Sequence, residues 1–471
     1  MQKEKFNWKP QEDESTEAVH RGGRTRSSEE ASVMEVERRG SVVQPSPQNN
    51  RKREDFADEA KSYKIPKQQV WEAYKRVKAN RGAAGIDKES IADFEKKLKA
   101  NLYKIWNRMS SGSYFPPPVM EVTIPKDAGG ERKLGIPTVS DRIAQMVVKM
   151  EIEPEMERIF HPSSYGYRPD KSAHEAIGQA RQNCWRFEWV LDLDIKGFFD
   201  NIPHELLLKA VRKHVPEKWA QMYIERWLKA PMQDKEGKLK ERLKGTPQGG
   251  VISPILANLY LHYALDLWLE RNYPQLPFER YADDAIVHCK TQSQAEGLRQ
   301  ALSTRLGECG LELHPVKTKI VYCNNGQGGN PSCAGEFDFL GYTFRPRKVR
   351  TKTGYMRLGF LPAISKKATE KIRKEIRSWE LHRRTGHSLE SIAHKINPIV
   401  QGWINYYGEY YGSQLRRTFD PLNYALARWA SRKYKKLTNR PRKARKWLVR
   451  AAVKQPRLLS HWKYGILPSL G

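Results

Sequence analysis

Two adjacent carboxylates interrupt an apolar stretch at residues 280–287, which read Arg-Tyr-Ala-Asp-Asp-Ala-Ile-Val. Strand-favouring residues flank Asp283 and Asp284, so the stretch predicts a β-hairpin with both aspartates near its turn. Each carboxylate raises the cost of ionising the other, and a neighbouring cation relieves that cost. An exposed acidic turn would explain the pair equally well, so a metal site is predicted only if further ligands exist.

A second pair of aspartates lies upstream, in the sequence WVLDLDIKGFFD at residues 189–200. Its alternation predicts a strand with Asp192 and Asp194 on one face and apolar residues on the other. Mg²⁺ prefers oxygen ligands and is typically held by one or two carboxylates plus substrate phosphates. Two such ions, about 4 Å apart, can activate a hydroxyl and stabilise leaving pyrophosphate. The strand and the hairpin therefore predict a two-metal site for phosphoryl transfer.

The overall charge indicates a polyanionic partner. The 471 residues include 84 Lys and Arg against 54 Asp and Glu, a formal net charge of +30. Phosphate neutralisation with counterion release favours binding of nucleic acid to such a chain. An anionic membrane is the alternative, but no apolar run approaches the ~20 residues of a membrane span. The five cysteines are scattered without a C-x-x-C pair, which suits a reducing compartment, and we expect a cytoplasmic protein without structural zinc.

Composition divides the chain into four parts. Residues 1–60 mix 11 basic with 13 acidic residues and have few large apolar ones, so we expect a disordered tail. Helical and strand patterns are mixed over 61–345, which indicates an α+β fold. Three apolar stripes at helical spacing follow over 360–435. The stretch 431–471 has 13 Lys or Arg and no Asp or Glu, so 436–471 is predicted to be a basic nucleic-acid-binding arm.

Ordered blocks of sequence resemble the group II intron-encoded reverse transcriptases, also called maturases. The blocks are VTIPKDAGGERKLGIPTVSDRIAQ (122–145), SSYGYRPDKSAHEAI (163–177), LDLDIKGFFDNIPH (191–204), GTPQGGVISPILANLYL (245–261), YADD (281–284), LELHPVKTKIV (311–321), FDFLGYTF (337–344) and QGWINYYG (401–408). The resemblance implies a right-hand polymerase, with fingers and a palm containing an antiparallel sheet over 61–345 and an α-helical thumb, or domain X, over 360–435. The HNH endonuclease of many relatives has no counterpart here, so we expect no second-strand cleavage.

The same resemblance assigns roles to the carboxylates. It implies that Asp194, Asp283 and Asp284 are the catalytic residues and bind two Mg²⁺ ions. Asp192 shares a strand face with Asp194 and stays a second candidate. The family also places a general acid near the end of the next strand, where Lys317 is favoured over Lys319, although either lysine could instead contact a backbone phosphate.

Four further residues are expected to bind the incoming nucleotide. Lys126 and Arg132 match fingers residues that hold the triphosphate, although solvated hairpin charge is the simpler reading of each alone. Phe199 lies where related polymerases place a side chain against the sugar, and core packing is its alternative. Gln248, followed by two glycines that allow close backbone approach, is expected to line the template and nucleotide pocket.

The resemblance implies an RNA-directed DNA polymerase that adds dNTPs to a primer 3′-hydroxyl. Its expected partners are intron or template RNA, a DNA primer or target, and dNTPs, with no membrane partner and an undetermined oligomeric state. Maturase activity, which assists intron splicing and mobility, is implied by the thumb block. The alternatives are a splicing-only maturase and a free-standing relative recruited for defence or repair. In the thumb, Tyr406 and Tyr407 are candidates for nucleotide stacking, whereas helical spacing places Trp403 in the core.

Overall fold

The computed structural model describes residues 62–125, 131–323, 335–350 and 354–469. The segment 1–60, expected to be a disordered tail, lies outside the described residues. Residues 61–471 make up one compact unit, which contains all the elements described below.

The elements before the thumb mix helices with eleven strands, counted over the described residues. The first half consists of α1 (Lys67–Ala79), α2 (Ile91–Glu95), α3 (Leu98–Ser110), β1 (Val119–Pro125), β2 (Glu131–Ile136), α4 (Val139–Ile159), α5 (Ala173–Asn183), β3 (Trp189–Asp194), α6 (Phe198–Asn201), α7 (His204–His214), α8 (Lys218–Lys229), β4 (Met232–Gln233) and β5 (Leu239–Lys240). The second half consists of α9 (Ser253–Leu261), a π-helical turn (His262–Asp266), α10 (Leu267–Asn272), β6 (Phe278–Tyr281), β7 (Asp284–Cys289), α11 (Gln292–Glu308), β8 (Lys319–Tyr322), β9 (Phe337–Phe339), β10 (Tyr342–Arg350) and β11 (Met356–Ile364).

An antiparallel sheet in the order β6-β7-β3-β8 forms the centre of the palm. On β3, Leu191 and Leu193 enter the main core, while Val190 packs into a second apolar cluster on the opposite face. The predicted alternation is therefore confirmed, because successive strand side chains point to opposite faces. Helix α11 covers the main-core face with Leu298 and Leu302. The other face is apolar at one end and carries the aspartates at the other.

Two smaller sheets flank the palm. The fingers sheet has the order β2-β1-β4-β5, with β1 and β2 as an antiparallel hairpin. The sheet β11-β10-β9 leads from the palm towards the thumb. Helix α4 joins fingers to palm and is buried on nearly all sides over its first ten residues, which include the polar Asp141 and Gln145. Its first turn is capped by Thr138, whose hydroxyl accepts a hydrogen bond from the Asp141 backbone N–H.

The thumb is a helical bundle with its own apolar core. Its elements are α12 (Lys366–Ser378), a 3₁₀ turn (Leu381–Arg383), α13 (Leu389–Tyr407), α14 (Ser413–Lys433), a second 3₁₀ turn (Lys435–Leu437), α15 (Pro441–Lys454) and α16 (Ser460–Lys463). Ala368, Ile372 and Ile376 are buried at helical spacing on α12, as the apolar stripe predicts. No strand occurs after Ile364 among the described residues. The mixed α/β part followed by a helical part agrees with the predicted fold class.

The boundary predicted at residue 436 has no counterpart in the packing. Leu448 on α15, with Leu459, Trp462 and Ile466 beyond it, is buried in the same core cluster as α13 and α14. The predicted basic arm thus packs against the thumb helices through these apolar residues, which are interleaved with its Lys and Arg, and its binding to nucleic acid stays a prediction. The segment therefore forms the outer layer of the thumb, and its cations lie on the solvent side of that layer. Across the described ranges, no helix has the length and apolar character needed to cross a bilayer.

Candidate active site

The two aspartate pairs meet on neighbouring strands of the palm sheet. In the β3–β7 register, Asp194 is directly opposite Asp284, and Asp192 is opposite Ile286. Tyr281 pairs with Asp284 across the β6–β7 hairpin, so Ala282 and Asp283 form a two-residue loop. Ala282 has a φ of 59°, and a positive φ at the first loop position matches the twist of a tight hairpin. Asp283 therefore lies at the tip of the predicted hairpin, and Asp284 begins the following strand.

A fully buried arginine, Arg280 on β6, holds this hairpin in place. The Arg280 guanidinium donates to both Asp266 carboxylate oxygens at 2.7 and 2.6 Å, to Asn258 Oδ1 at 2.9 Å and to Ser164 Oγ at 2.8 Å. A further bond of 3.0 Å runs to the carbonyl oxygen of Ala282, one residue before Asp283. Arg280 and Asp266 are both 0% exposed. A buried charge needs such a complete set of partners, and this one holds the hairpin loop in place.

A glycine permits the close approach of the neighbouring chain to this loop. A Cβ on Gly166 would lie 2.4 Å from the Ala282 backbone nitrogen and 2.9 Å from the Tyr281 carbonyl carbon. The Gly166 carbonyl accepts a hydrogen bond of 2.7 Å from Asn258, which also contacts Arg280. The segment SSYGYRPD (163–170) thus packs directly against the backbone of the aspartate hairpin. Any larger residue at position 166 would displace the hairpin.

The aspartates line a cleft of about 610 Å³ between the palm sheet and the base of the thumb. Carboxylate oxygens from two strands and a loop supply the hard donors that Mg²⁺ prefers. As they stand, the side chains are not a ready ligand set, since no group of three or more His, Cys, Asp or Glu in the described ranges lies close enough to hold a metal ion. Carboxylate oxygens are nevertheless the type of donor that fits Mg²⁺. The cleft is lined by Asp192, Leu193, Asp194, Ile195, Asp283, Asp284, Val316, Lys317, Lys319, Glu336, Phe337, Asp338 and Lys367.

Burial and mutual repulsion raise the pKa values of three of these carboxylates. Burial raises the pKa of Asp284 well above its usual range, and the charges of Asp192 and Asp283 raise it further. Burial likewise raises the pKa of Asp283, with Asp194 adding to the effect. The pKa of Asp192 rises to about 7, chiefly through burial and against the attraction of Lys319. Such a cluster keeps its negative charge only beside positive charge, which divalent cations supply.

The predicted general acid contacts one of these carboxylates. Lys317 Nζ lies 3.3 Å from Asp194 Oδ2, and the lysine side chain is 59% exposed. Lys319 begins β8 opposite Asp192. Both lysines line the cleft, and only Lys317 makes a direct ion pair with an aspartate of the predicted triad.

Two of the predicted nucleotide-binding residues, Arg132 and Gln248, meet on the fingers side. Arg132 Nε donates a hydrogen bond to Gln248 Oε1, although the two are far apart in sequence. The Gln248 carbonyl accepts a bond of 2.9 Å from the Gly135 N–H. Gly249, at a φ of 124°, has room for no side chain, because a Cβ would lie 2.6 Å from the Gly135 carbonyl oxygen. Arg132 is also near enough to Asp283 to lower the pKa of that carboxyl against the effect of burial. Lys126 lies outside the described residues.

Phe199 is buried beside this loop. Its side chain is 6% exposed, and its ring meets that of Phe198 edge to face with centroids 5.4 Å apart. The Phe199 carbonyl accepts a hydrogen bond of 2.8 Å from the Thr246 N–H, which ties α6 to the loop before Gln248. Both phenylalanines belong to the palm core in this state. A role for Phe199 against the sugar stays a prediction.

Comparison with known proteins places the chain in a family. Residues 124–344 match the family described as reverse transcriptase (RNA-dependent DNA polymerase), and residues 369–448 match the maturase-specific domain of group II introns. The chain belongs to the group II intron reverse transcriptases and maturases. The family predicted from the ordered sequence blocks is therefore confirmed, as is the right-hand arrangement of a reverse-transcriptase domain followed by a helical region.

Individual relatives of this reverse transcriptase cover different shares of it. Protein YkfC of Escherichia coli is 33% identical over 326 residues, which is 61% of this chain and 82% of that protein. The group II intron-encoded protein LtrA of Lactococcus lactis is 35% identical over 194 residues, 40% of this chain and 32% of LtrA. Among solved structures, telomerase from Candida albicans matches with a TM-score of 0.41 and 11% identity over 80% of this chain and 68% of that chain.

Two thumb aromatics of this reverse transcriptase, Tyr406 and Tyr407, lie against the palm, and their stacking on nucleotides stays a prediction. Tyr406 stacks on His174 of α5 at 5.1 Å, and Tyr407 packs against Tyr342 of β10 at 5.5 Å. Trp403 stacks on Trp379 at 5.7 Å within the thumb, as its helical spacing predicts. The packing of this end of α13 on the palm is a finding of the structure, since the sequence pattern does not show which surface the helix meets.

Sequence reasoning also missed the supports of the site. Arg280 is a charged residue inside an apolar strand pattern, and this anomaly could have identified it as part of a buried network. Tyr167 is half exposed beside the hairpin, where burial and the charge of Asp283 raise its pKa. No periodic signal marks Asp338 or Lys367 as cleft residues, since each reaches the cleft only through the packing of β9 and α12.

Proposed function

We propose that this protein is an RNA-directed DNA polymerase that extends a primer 3′-hydroxyl with dNTPs, with Asp194, Asp283 and Asp284 as its metal-binding catalytic residues. The observation that carries the proposal is the cross-strand pairing of Asp194 with Asp284 beside the hairpin tip at Asp283. Two Mg²⁺ ions held there would activate the hydroxyl and stabilise the leaving pyrophosphate. The neighbouring family domain and the charge of +30 support RNA as the template.

The residues around the cleft have distinct tasks in this reaction. Arg132, on the fingers hairpin, binds the triphosphate of the incoming dNTP as a charge-assisted donor, together with Lys126. Gln248 orients Arg132 through their hydrogen bond and faces the nucleotide pocket. Lys317, already 3.3 Å from Asp194, is the group that can donate a proton to pyrophosphate. In this arrangement the nucleotide lies between Arg132 on the fingers and the aspartates of the palm.

The thumb is proposed to hold the template and the intron RNA. Helices α12, α14 and α15 bury their apolar faces together and leave many Lys and Arg side chains in solvent. Such a surface binds phosphates without reading sequence. Maturase activity, in which the protein stabilises the folded intron, would use this surface together with the group II maturase domain at 369–448.

Primer extension tests the proposal directly. The full chain is incubated with a DNA primer annealed to an RNA template, dNTPs and Mg²⁺, and the product is resolved by length. We expect template-directed extension by the wild type and none by Asp283→Asn. A wild-type protein that binds the RNA with high affinity but extends no primer would instead support the splicing-only maturase.

A further inference from the structure

An apolar slot lies between the end of α5 and the β10–β11 hairpin, apart from the catalytic cleft. It has a volume of about 280 Å³ and shares no lining residue with the cleft of the aspartates. This volume is close to the ~300 Å³ at which sites for small organic ligands begin, so the slot suits a single aromatic ring. Its walls include Arg181, Trp185, Val349, Arg357, Gly359 and Leu361.

Trp185 presents a fixed aromatic surface at this slot. Its side chain is 51% exposed, although the indole Nε1–H donates a hydrogen bond of 3.2 Å to the Phe360 carbonyl on the edge strand β11. The Arg181 guanidinium lies over the indole, with its Cζ 4.9 Å from the ring centroid. The ring is therefore held in one orientation, and a ligand that stacks on it costs little further side-chain entropy.

The charges around the slot are all positive. Arg181 and Arg357 line it, no Asp or Glu does, and neither arginine forms an ion pair with a residue that the structure describes. Arg347 is directly opposite Gly359 in the β10–β11 register and adds a third positive charge on that face of the hairpin. An anionic group beside the slot would thus meet cations whose charge no neighbouring carboxylate offsets.

We propose that this slot is a second RNA contact, at which an unpaired nucleotide stacks its base on Trp185 and places its phosphates beside Arg181 and Arg357. An aromatic surface next to arginines is the combination that binds single-stranded nucleic acid, because every base has a π-face and every nucleotide a phosphate. An acidic peptide would satisfy the arginines but would leave the indole without a stacking partner. The inference rests on the proposed binding of RNA by this chain, and it is independent of DNA synthesis.

Three substitutions in the full chain alter the slot in different ways. Trp185→Ala removes the aromatic surface, whereas Trp185→Phe keeps a ring. Gly359→Leu fills the slot and removes none of its side chains, since a Cβ there would meet only Val349 Cγ2 and Leu361 Cγ, each at 3.8 Å. The matched control is Trp71→Ala on α1, which removes another exposed tryptophan that does not line the slot.

Each protein is titrated with a single-stranded RNA octamer containing 4-thiouridine and with a blunt RNA duplex of the same length, and binding is followed by fluorescence anisotropy. Irradiated complexes are then digested, and the crosslinked peptides are identified by mass spectrometry. Thermal unfolding of each variant shows whether the fold is retained.

Trp185→Ala should bind the single strand about five- to a hundredfold more weakly, the usual effect of removing one stacked base. Gly359→Leu should lose a similar factor, Trp185→Phe should lose less, and Trp71→Ala should match the wild type. All four should bind the duplex as the wild type does, and crosslinks in the wild type should include the peptide that contains Trp185. Arg357→Gln should lower the slope of log K against log salt by about 0.7 for the single strand.

Wild-type affinity for the single strand in both Trp185→Ala and Gly359→Leu would overturn the inference and leave RNA binding elsewhere on the protein intact. Equal losses in Trp185→Ala and Trp71→Ala, or equal losses on single strand and duplex, would overturn it as well. A wild type that binds neither RNA would refute the proposed function together with the inference.

Discussion

Asp194 and Asp284 are direct cross-strand neighbours on β3 and β7, with Asp283 in the loop that precedes β7. Opposed residues in an antiparallel pair have Cβ atoms about 5 Å apart, so two carboxylates there repel each other unless a cation intervenes. Asp192, two residues earlier on β3, is paired with Ile286 on β7 and with Lys319 on β8 instead. The register thus pairs Asp194, rather than Asp192, directly with Asp284, although the charge of Asp192 also acts on Asp284.

Substitution of each carboxylate should therefore have unequal effects. Asp283→Asn, Asp194→Asn and Asp284→Asn should each lower the rate of DNA synthesis by at least about 10²-fold, because each removes a charged ligand from the metal site. Asp192→Asn should retain more activity than any of the three. Primer extension at saturating Mg²⁺ measures the rates, and filter binding should show RNA affinity close to that of the wild type. Retained synthesis in Asp283→Asn would exclude this residue from the site.

The role of Phe199 can be separated from its role in the core. Phe199→Val should raise the incorporation of ribonucleotides relative to deoxynucleotides, because a smaller side chain leaves room for a 2′-hydroxyl. Phe198→Val is the matched control, since it removes the same volume from the adjacent buried ring. Both variants should lose about 1–3 kcal/mol of stability from the cavity. Competition between rNTP and dNTP measures sugar selection, and equal selection in the two variants would show that the sugar contact lies elsewhere.

The outer thumb helix can be tested without loss of its core residues. Deletion of 436–471 would remove Leu448 and Trp462 from the thumb core, so a loss of RNA binding could result from misfolding of the thumb. Lys443→Gln with Lys446→Gln instead alters two exposed cations of α15. If both contact phosphates, the slope of log K against log salt should fall by about one unit for each. The same double change at Lys99 and Lys104 on α3 is the control, and equal slopes for the two variants would argue against an RNA contact at α15.

The thumb should lose stability in acid because of a buried histidine. His461 Nε2 bonds Asn423 Oδ1 at 2.9 Å, its Nδ1 has no hydrogen-bond partner, and burial lowers its pKa to about 3. The unfolded chain, with a histidine pKa near 6.5, therefore binds a proton more readily than the folded one. The stability that the neutral His461 contributes is fully present above pH about 6.5. It falls by up to about 1.4 kcal/mol per pH unit between pH 6.5 and pH 3.

A comparison of His461→Phe with the wild type isolates the effect of His461 on the pH dependence of stability. Thermal unfolding followed at pH 7 and pH 5 should show a smaller acid-induced decrease in Tm for the variant, because a phenylalanine cannot take up the proton. Other histidines with lowered pKa, such as His262, act equally in both proteins. An identical decrease in the two proteins would mean that His461 is not responsible.

The sequence alone determined the local arrangement of the site. Alternation in WVLDLD was enough to put Asp192 and Asp194 on one strand face, since side-chain direction in a strand has a period of two. The apolar flanks of Asp283 and Asp284 predicted the hairpin for the same reason. The order of the blocks then indicated the family, and with it a reverse-transcriptase palm followed by a helical thumb.

Only the tertiary structure decided which distant residues meet. The pairing of Asp194 with Asp284, the contact of Arg132 with Gln248 and the burial of Arg280 against Asp266 depend on strand register and packing between segments far apart in the chain. The bond from Tyr406 to the Leu340 carbonyl is likewise a tertiary contact, because local periodicity shows which face of α13 is apolar but not which surface that face meets. The C-terminal cations likewise concealed residues that complete the thumb core, whose burial depends on α13 and α14.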